Sequence, residues 1–155
     1  MSKPVQIVDL FSGPGGLGEG FSSCKRSDGS RAYEIAVSIE KDPSAHRTLR
    51  LRAFLRKFDE YPREYYSWIA GRRECPDWRD LYPRQWKAAE NEAICAELGK
   101  PETAAMLSER ISAARQLVGD HTLLVGGPPC QAYSLAGRSR NAGIRDYRPK
   151  DDDRH

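Results

Sequence analysis

At 155 residues the chain has room for one modest core and none for a separate recognition domain, which excludes a multidomain arrangement. Charged residues make up 30%, yet 25 Lys and Arg against 22 Asp and Glu leave a net charge of only +3, so whole-chain disorder is excluded and a polyanionic partner is permitted without being demanded. No run approaches the ~18 apolar residues of a membrane span, and Asp9 interrupts the first apolar stretch, so neither a membrane partner nor a secretory signal is expected.

Residues 5–11 form a short, mostly apolar run that meets a glycine-rich stretch at 12–20, which reads as a buried strand feeding a tight loop. A helix is expected over 17–24 and a second strand over 33–39, so that strand, loop, helix and strand make one parallel β-α-β unit. From Pro43 another helix is predicted, with Asp42 as N-cap, Pro43 at its first position and Leu51, Phe54, Leu55 and Phe58 on its apolar side; Pro62 ends that stretch. Residues 59–118 read as an inserted helical segment. Within it one helix is expected over 84–98, and Ala104, Leu107, Ile111, Ala114 and Val118 recur at three- and four-residue steps behind Pro101. The aromatic residues Tyr61, Tyr65, Tyr66, Trp68, Trp78, Tyr82 and Trp86 are read as packing for this insert. A third buried strand is expected over 121–125, closed by Gly126-Gly127-Pro128-Pro129.

Gly13-Pro14-Gly15-Gly16-Leu17-Gly18 satisfies G-x-G-x-x-G between a strand and a helix, the context in which glycines let the backbone approach a ligand where a Cβ would collide. An acidic side chain is required at the end of the next strand to accept the hydroxyls of a ribose, and Glu40 stands there. This half of the site calls for a nucleoside-containing cofactor. NAD and S-adenosylmethionine both fit it, with Asp9 and Phe11 just before the glycines favouring the second.

Three of the four cysteines, Cys24, Cys75 and Cys95, are scattered without a C-x-x-C pair, which argues for reduced thiols in a cytosol and against a zinc or other metal site. Cys130 differs in its setting. It follows Pro128-Pro129, whose fixed φ sets its direction before any ligand arrives, at the carboxyl end of a strand, where open parallel sheets place their chemistry. With Gln131 beside it and Arg138 and Arg140 nearby to favour a thiolate, Cys130 reads as a nucleophile.

On three segments the chain resembles the DNA cytosine-5 methyltransferases: Asp9-Leu10-Phe11-Ser12-Gly13-Pro14-Gly15-Gly16-Leu17, then Ser38-Ile39-Glu40-Lys41-Asp42, then Gly127-Pro128-Pro129-Cys130-Gln131-Ala132-Tyr133-Ser134. The resemblance implies a Rossmann-like α/β methyltransferase fold with a parallel sheet, incomplete in this chain. It further implies that Phe11, Gly13, Pro14, Gly15, Gly16, Leu17 and Pro129 line an S-adenosylmethionine pocket, with Glu40 on the ribose and Lys41 and Asp42 adjacent. Cys130 would be the catalytic nucleophile, adding to cytosine C6 so that C5 becomes an enamine carbon able to take the methyl group. The target base would have to leave the duplex, at a cost of a few kcal/mol of unstacking. Residues 134–155 would be a mobile catalytic loop, with Gln131, Ser134, Arg138, Ser139 and Arg140 on double-stranded DNA, in a cytoplasmic prokaryotic or phage restriction-modification setting.

The chain departs from that family in lacking the Glu-Asn-Val motif that holds cytosine N3, and no aspartate between Asp59 and Val118 is recognisable as the strand-end adenine contact; Asp120 is no convincing substitute. Residues 1–155 are therefore expected to be the N-terminal portion of a truncated or split catalytic domain, without its target-recognition region. Such a portion would be inactive alone and would depend on a C-terminal portion or a complementing subunit. Two further readings share the glycine loop: a non-catalytic module that binds S-adenosylmethionine or DNA, and an NAD-dependent oxidoreductase, for which Pro-Pro-Cys-Gln has no role.

Overall fold

A computed structural model describes residues 3–128. In chain order the elements are β1 (Val5–Leu10), α1 (Gly16–Ser23), β2 (Tyr33–Glu40), α2 (Pro43–Leu55), α3 (Arg63–Ile69), α4 (Trp78–Leu81), α5 (Pro83–Glu92), β3 (Ala93–Cys95), α6 (Pro101–Val118) and β4 (Thr122–Gly126). The four strands form one parallel sheet in the order β3-β2-β1-β4, giving a Rossmann-like α/β architecture. The chain runs outward from β1 through β2 to β3 and then crosses back to the other side of β1. That reversal opens a crevice between the carboxyl ends of β1 and β4, the place where open α/β sheets bind ligands.

The helices divide between the two faces as this winding requires. On one face α6 lays Leu107 against Val8, Val37 and Ile39, with Met106 and Ile111 packed alongside. On the other, α2, α4 and α5 enclose Phe54, whose ring lies 5.1 Å from Phe58, 5.2 Å from Trp78 and 5.5 Å from Trp86. The aromatic residues of 59–118 thus largely pack with one another and with α2, with Tyr66 left half exposed. Asp42 caps α2 by accepting from Ala45 N at 2.7 Å, with Pro43 at the first helical position.

Residues 59–118 are not wholly helical. The expected helix over 84–98 ends at Glu92, and Ala93–Cys95 turns into a fourth strand, pairing Ser38 with Ala93 and Glu40 with Cys95. The free edge of β2 supplies hydrogen-bond partners that outweigh a local helical preference. The buried stripe of α6 also differs from the predicted one, since Thr103 is buried where Ala104 is exposed.

A charged network ties the helices of the aromatic face together. Arg56, just past α2, donates to Glu19 of α1 and, at 2.5 Å, to Glu92 of α5; Lys57 reaches the other Glu92 oxygen at 2.5 Å. No helix among the described residues is long and apolar enough to cross a membrane.

A candidate cofactor site at the strand carboxyl ends

β1 ends in a backbone that only a few residue types tolerate. Phe11 has φ 54, Gly13 φ 55 and Gly15 φ 93, all left-handed, and the chain so folded turns within five residues into α1. Ser12 locks the turn at both ends: its N–H donates to Ile39 O at 3.0 Å, its hydroxyl donates to Asp9 O at 2.8 Å, and its carbonyl accepts from Gly15 N at 2.9 Å. The glycines have different duties. A Cβ on Gly15 would sit 2.9 Å from Leu49 Cδ1, so this glycine lets the loop pack on α2, whereas a Cβ on Gly13 or Gly16 would meet no atom within 4 Å. Those two face open space, where a bound molecule could approach the backbone.

Glu40, the last residue of β2, grips this loop from the side. One carboxylate oxygen accepts from Gly13 N at 2.8 Å and the other from Asp42 N at 2.7 Å, so the carboxylate is aimed by two backbone donors and each oxygen retains a lone pair. Phe11, at the end of β1, and Leu17, in the first turn of α1, are exposed at 38% and 46%, apolar surface on the same loop whose Gly13 Glu40 holds. Of the residues singled out from sequence, Phe11, Gly13, Pro14, Gly15, Gly16, Leu17, Glu40, Lys41 and Asp42 gather around the carboxyl ends of β1 and β2. Pro129, Cys130, Gln131, Ser134, Arg138, Ser139 and Arg140 lie outside the described residues, as does the segment 134–155. β4, which leads towards them, pairs Gly126 with Leu10, and a Cβ on Gly126 would stand 2.3 Å from Leu10 O.

Sequence reasoning missed the contribution of β3. Its end lies beside that of β2, with Ala96 N donating to Glu40 O at 3.1 Å, and the next residue, Glu97, approaches Lys41 at 3.9 Å and Lys100 at 3.6 Å. The signal was present: Ala93-Ile94-Cys95-Ala96 followed by Glu97 repeats, in shorter form, the apolar run closed by Glu40. Beneath the loop Asp9 is wholly buried, and burial pushes its carboxyl above the usual carboxylate range, against the opposing pull of Ser12 and Arg56.

The chain is 33% identical over 153 aligned residues to the type II methyltransferase M.Bpa9945I of Bacillus paralicheniformis, a match that takes in 86% of the chain and 32% of that protein. It is similar to type II methyltransferases. The type II methyltransferase M.AquIA of Picosynechococcus is 27% identical over 133 residues, again 86% of the chain, and 35% of that relative. The chain thus spans about a third of the length of the curated methyltransferases it matches. The parallel sheet and its flanking helices are consistent with a Rossmann-like methyltransferase fold. No family model and no solved structure matches the chain.

Proposed function

We propose that this chain carries the S-adenosylmethionine site and the nucleophile of a DNA cytosine-5 methyltransferase. The observation that carries the reading is Glu40, a carboxylate fixed by Gly13 N and Asp42 N at the mouth of a left-handed glycine loop whose Gly13 and Gly16 face open space. A ribose diol needs such an acceptor pair, and an adenine ring needs a flat apolar neighbour such as Phe11. Bound S-adenosylmethionine supplies an electrophilic methyl group. The rest falls to side chains of this sequence: Cys130, which comes after β4 in the sequence, would attack C6 of a flipped-out cytosine and leave again once C5 has taken the methyl group and lost its proton.

Several features of the reading come from the sequence and from the relatives together. Pro129 would close the cofactor pocket, and Gln131, Ser134, Arg138, Ser139 and Arg140 would contact double-stranded DNA, positions whose roles rest on the motif Pro128-Pro129-Cys130-Gln131. Because the relatives are about three times as long, target recognition and the acid that holds cytosine N3 are assigned to a further portion of polypeptide, joined or separate, working in a bacterial or phage cytoplasm. Glu97, two residues past β3 and near Lys41, would stand in for the strand-end aspartate that the sequence lacks.

Calorimetric titration of the chain with S-adenosylmethionine and, separately, NAD tests the reading, with Glu40→Ala as control. Binding of the first that weakens at least tenfold in the variant supports it, and preferential binding of NAD overturns it. Trapping of Cys130 on a fluorocytosine duplex, with the remaining portion supplied, distinguishes the enzyme from a non-catalytic binding module.

A further inference from the structure

α1 is poorly equipped to hold its own place. It has eight residues, too few for a helix to be stable in water by itself, and its fully buried residue is Gly18, which has no side chain to pack. Its N-cap, Gly15, makes no side-chain cap. Yet the first turn of α1 fixes the end of the glycine loop, since Glu19 N donates to Gly15 O at 3.0 Å and Gly15 N donates to Ser12 O at 2.9 Å. The position of that turn must come from outside the helix, and α2 supplies it: Leu49 lies against Gly15, and two turns further on Arg56 donates to the Glu19 carboxylate.

Arg56 is itself held in place. Its side chain is 10% exposed; Nη1 goes to Glu19 and Nη2, at 2.5 Å, to Glu92, the last residue of α5. Nε has no partner among the described residues, so the direction of the guanidinium is set by these two carboxylates. Lys57 takes the second oxygen of Glu92 at 2.5 Å and keeps that carboxylate from turning. A planar fork fixed at one prong presents the other in a fixed direction. The residue after Glu92 begins β3, where Ala93 pairs with Ser38 of β2, and Ala96 N just past β3 donates to Glu40 O at 3.1 Å. Glu40 in turn holds Gly13 N. The loop is therefore gripped twice, at Gly13 by Glu40 and at Gly15–Glu19 by Arg56, and both grips lead back to β2 and β3.

We propose that Arg56 is a positioning residue of the cofactor site: through Glu19 it fixes the first turn of α1 and so sets Gly13 and Gly16 at the spacing from Glu40 that receives the cofactor. It acts through Glu19 and not by contact with the ligand. Without that arm the first turn of α1 loses its ion pair with α2, the loop moves relative to β2, and the Gly13–Glu40 bond opens more often. Glu40 then contributes less to binding, so Glu19 and Glu40, which do not bond to each other, are coupled in cofactor affinity. α5 takes part in the site by the same route, through its last residue.

The affinity arm of this inference rests on the proposed S-adenosylmethionine site; the loop arm does not. The experiment measures amide hydrogen exchange in the ligand-free chain, for wild type and Glu19→Ala, and S-adenosylmethionine affinity for these two, Glu40→Ala and the double variant. Exchange at Gly13 should quicken about tenfold or more in Glu19→Ala while the amides of the central strand β1 keep their wild-type rates. Affinity should fall about fivefold or more in Glu19→Ala, and the loss caused by Glu40→Ala should be clearly smaller in that background than in wild type. Unchanged exchange at Gly13, an equal quickening throughout β1, or losses that simply multiply in the double variant overturns the proposal. If wild type binds no S-adenosylmethionine, the cofactor reading fails, and exchange at Gly13 still decides whether Arg56 fixes the loop. Should Glu19→Ala not fold, Glu19→Asp, whose carboxylate falls one methylene short of Arg56, is read in the same way.

Discussion

At the scale of single residues the site depends on side chains that are absent as much as on those present. Gly13 and Gly15 both have positive φ, yet they fail differently when replaced. Gly13→Ala meets open space and suffers only backbone strain, about 1 kcal/mol of stability, while its methyl group projects where the ligand would lie; Gly15→Ala adds a 2.9 Å contact with Leu49 and should cost roughly 2–3 kcal/mol. The separation appears when denaturant unfolding and cofactor titration are run on both: Gly13→Ala folds nearly normally and binds poorly, and Gly15→Ala is impaired in both. Gly126→Ala is the severest of the set, because its methyl group would enter the backbone of β1 at 2.3 Å from Leu10 O, and a loss of about 3 kcal/mol or more is expected in the same unfolding assay.

At the scale of elements, α1, α2 and α5 are held by apolar packing and by the Glu19–Arg56–Glu92–Lys57 network. Removing one buried partner strands the other's charge, so Arg56→Met alone should destabilise by about 3–5 kcal/mol, while Arg56→Met with Glu92→Gln should cost clearly less than the two changes summed. A double-mutant cycle in denaturant measures the difference, and strict additivity would show that the pair contributes nothing. None of this network was legible in the sequence, because Glu19, Arg56 and Glu92 lie in three separate elements and nothing local in any of them names its partner. What was legible is what short-range chemistry dictates: the Asp42 cap and Pro43, the left-handed glycines after a buried strand, and Glu40 closing an eight-residue strand. β3 escaped for the opposite reason. Three residues cannot display a period of two, and Ala93–Cys95 becomes a strand only because β2 offers it an edge. With β3 went Glu97, the carboxylate two residues past that strand.

At the scale of the whole molecule the sheet ends, among the described residues, in the three-residue β3 on one side and in β4 on the other. β4 pairs with β1 along one edge, and among the described residues no strand lies along its other edge. Leu123 and Leu124 on β4 are 41% and 59% exposed, one on each face of the strand, so apolar side chains stand on both sides of its unpaired backbone. Such an edge invites pairing with another strand. The relatives' additional length gives the proposed further portion of polypeptide a physical task here: adding strands beyond β4 would bury these leucines and place its own residues beside the crevice between β1 and β4. Leu124→Lys puts a charge on that surface without touching the glycine loop. In sedimentation velocity the variant should self-associate less than wild type, and with the remaining portion supplied it should reconstitute several-fold less methyl transfer while binding S-adenosylmethionine as wild type does. Unchanged reconstitution in Leu124→Lys would place the junction elsewhere and leave the open edge of β4 as a simple surface of this chain.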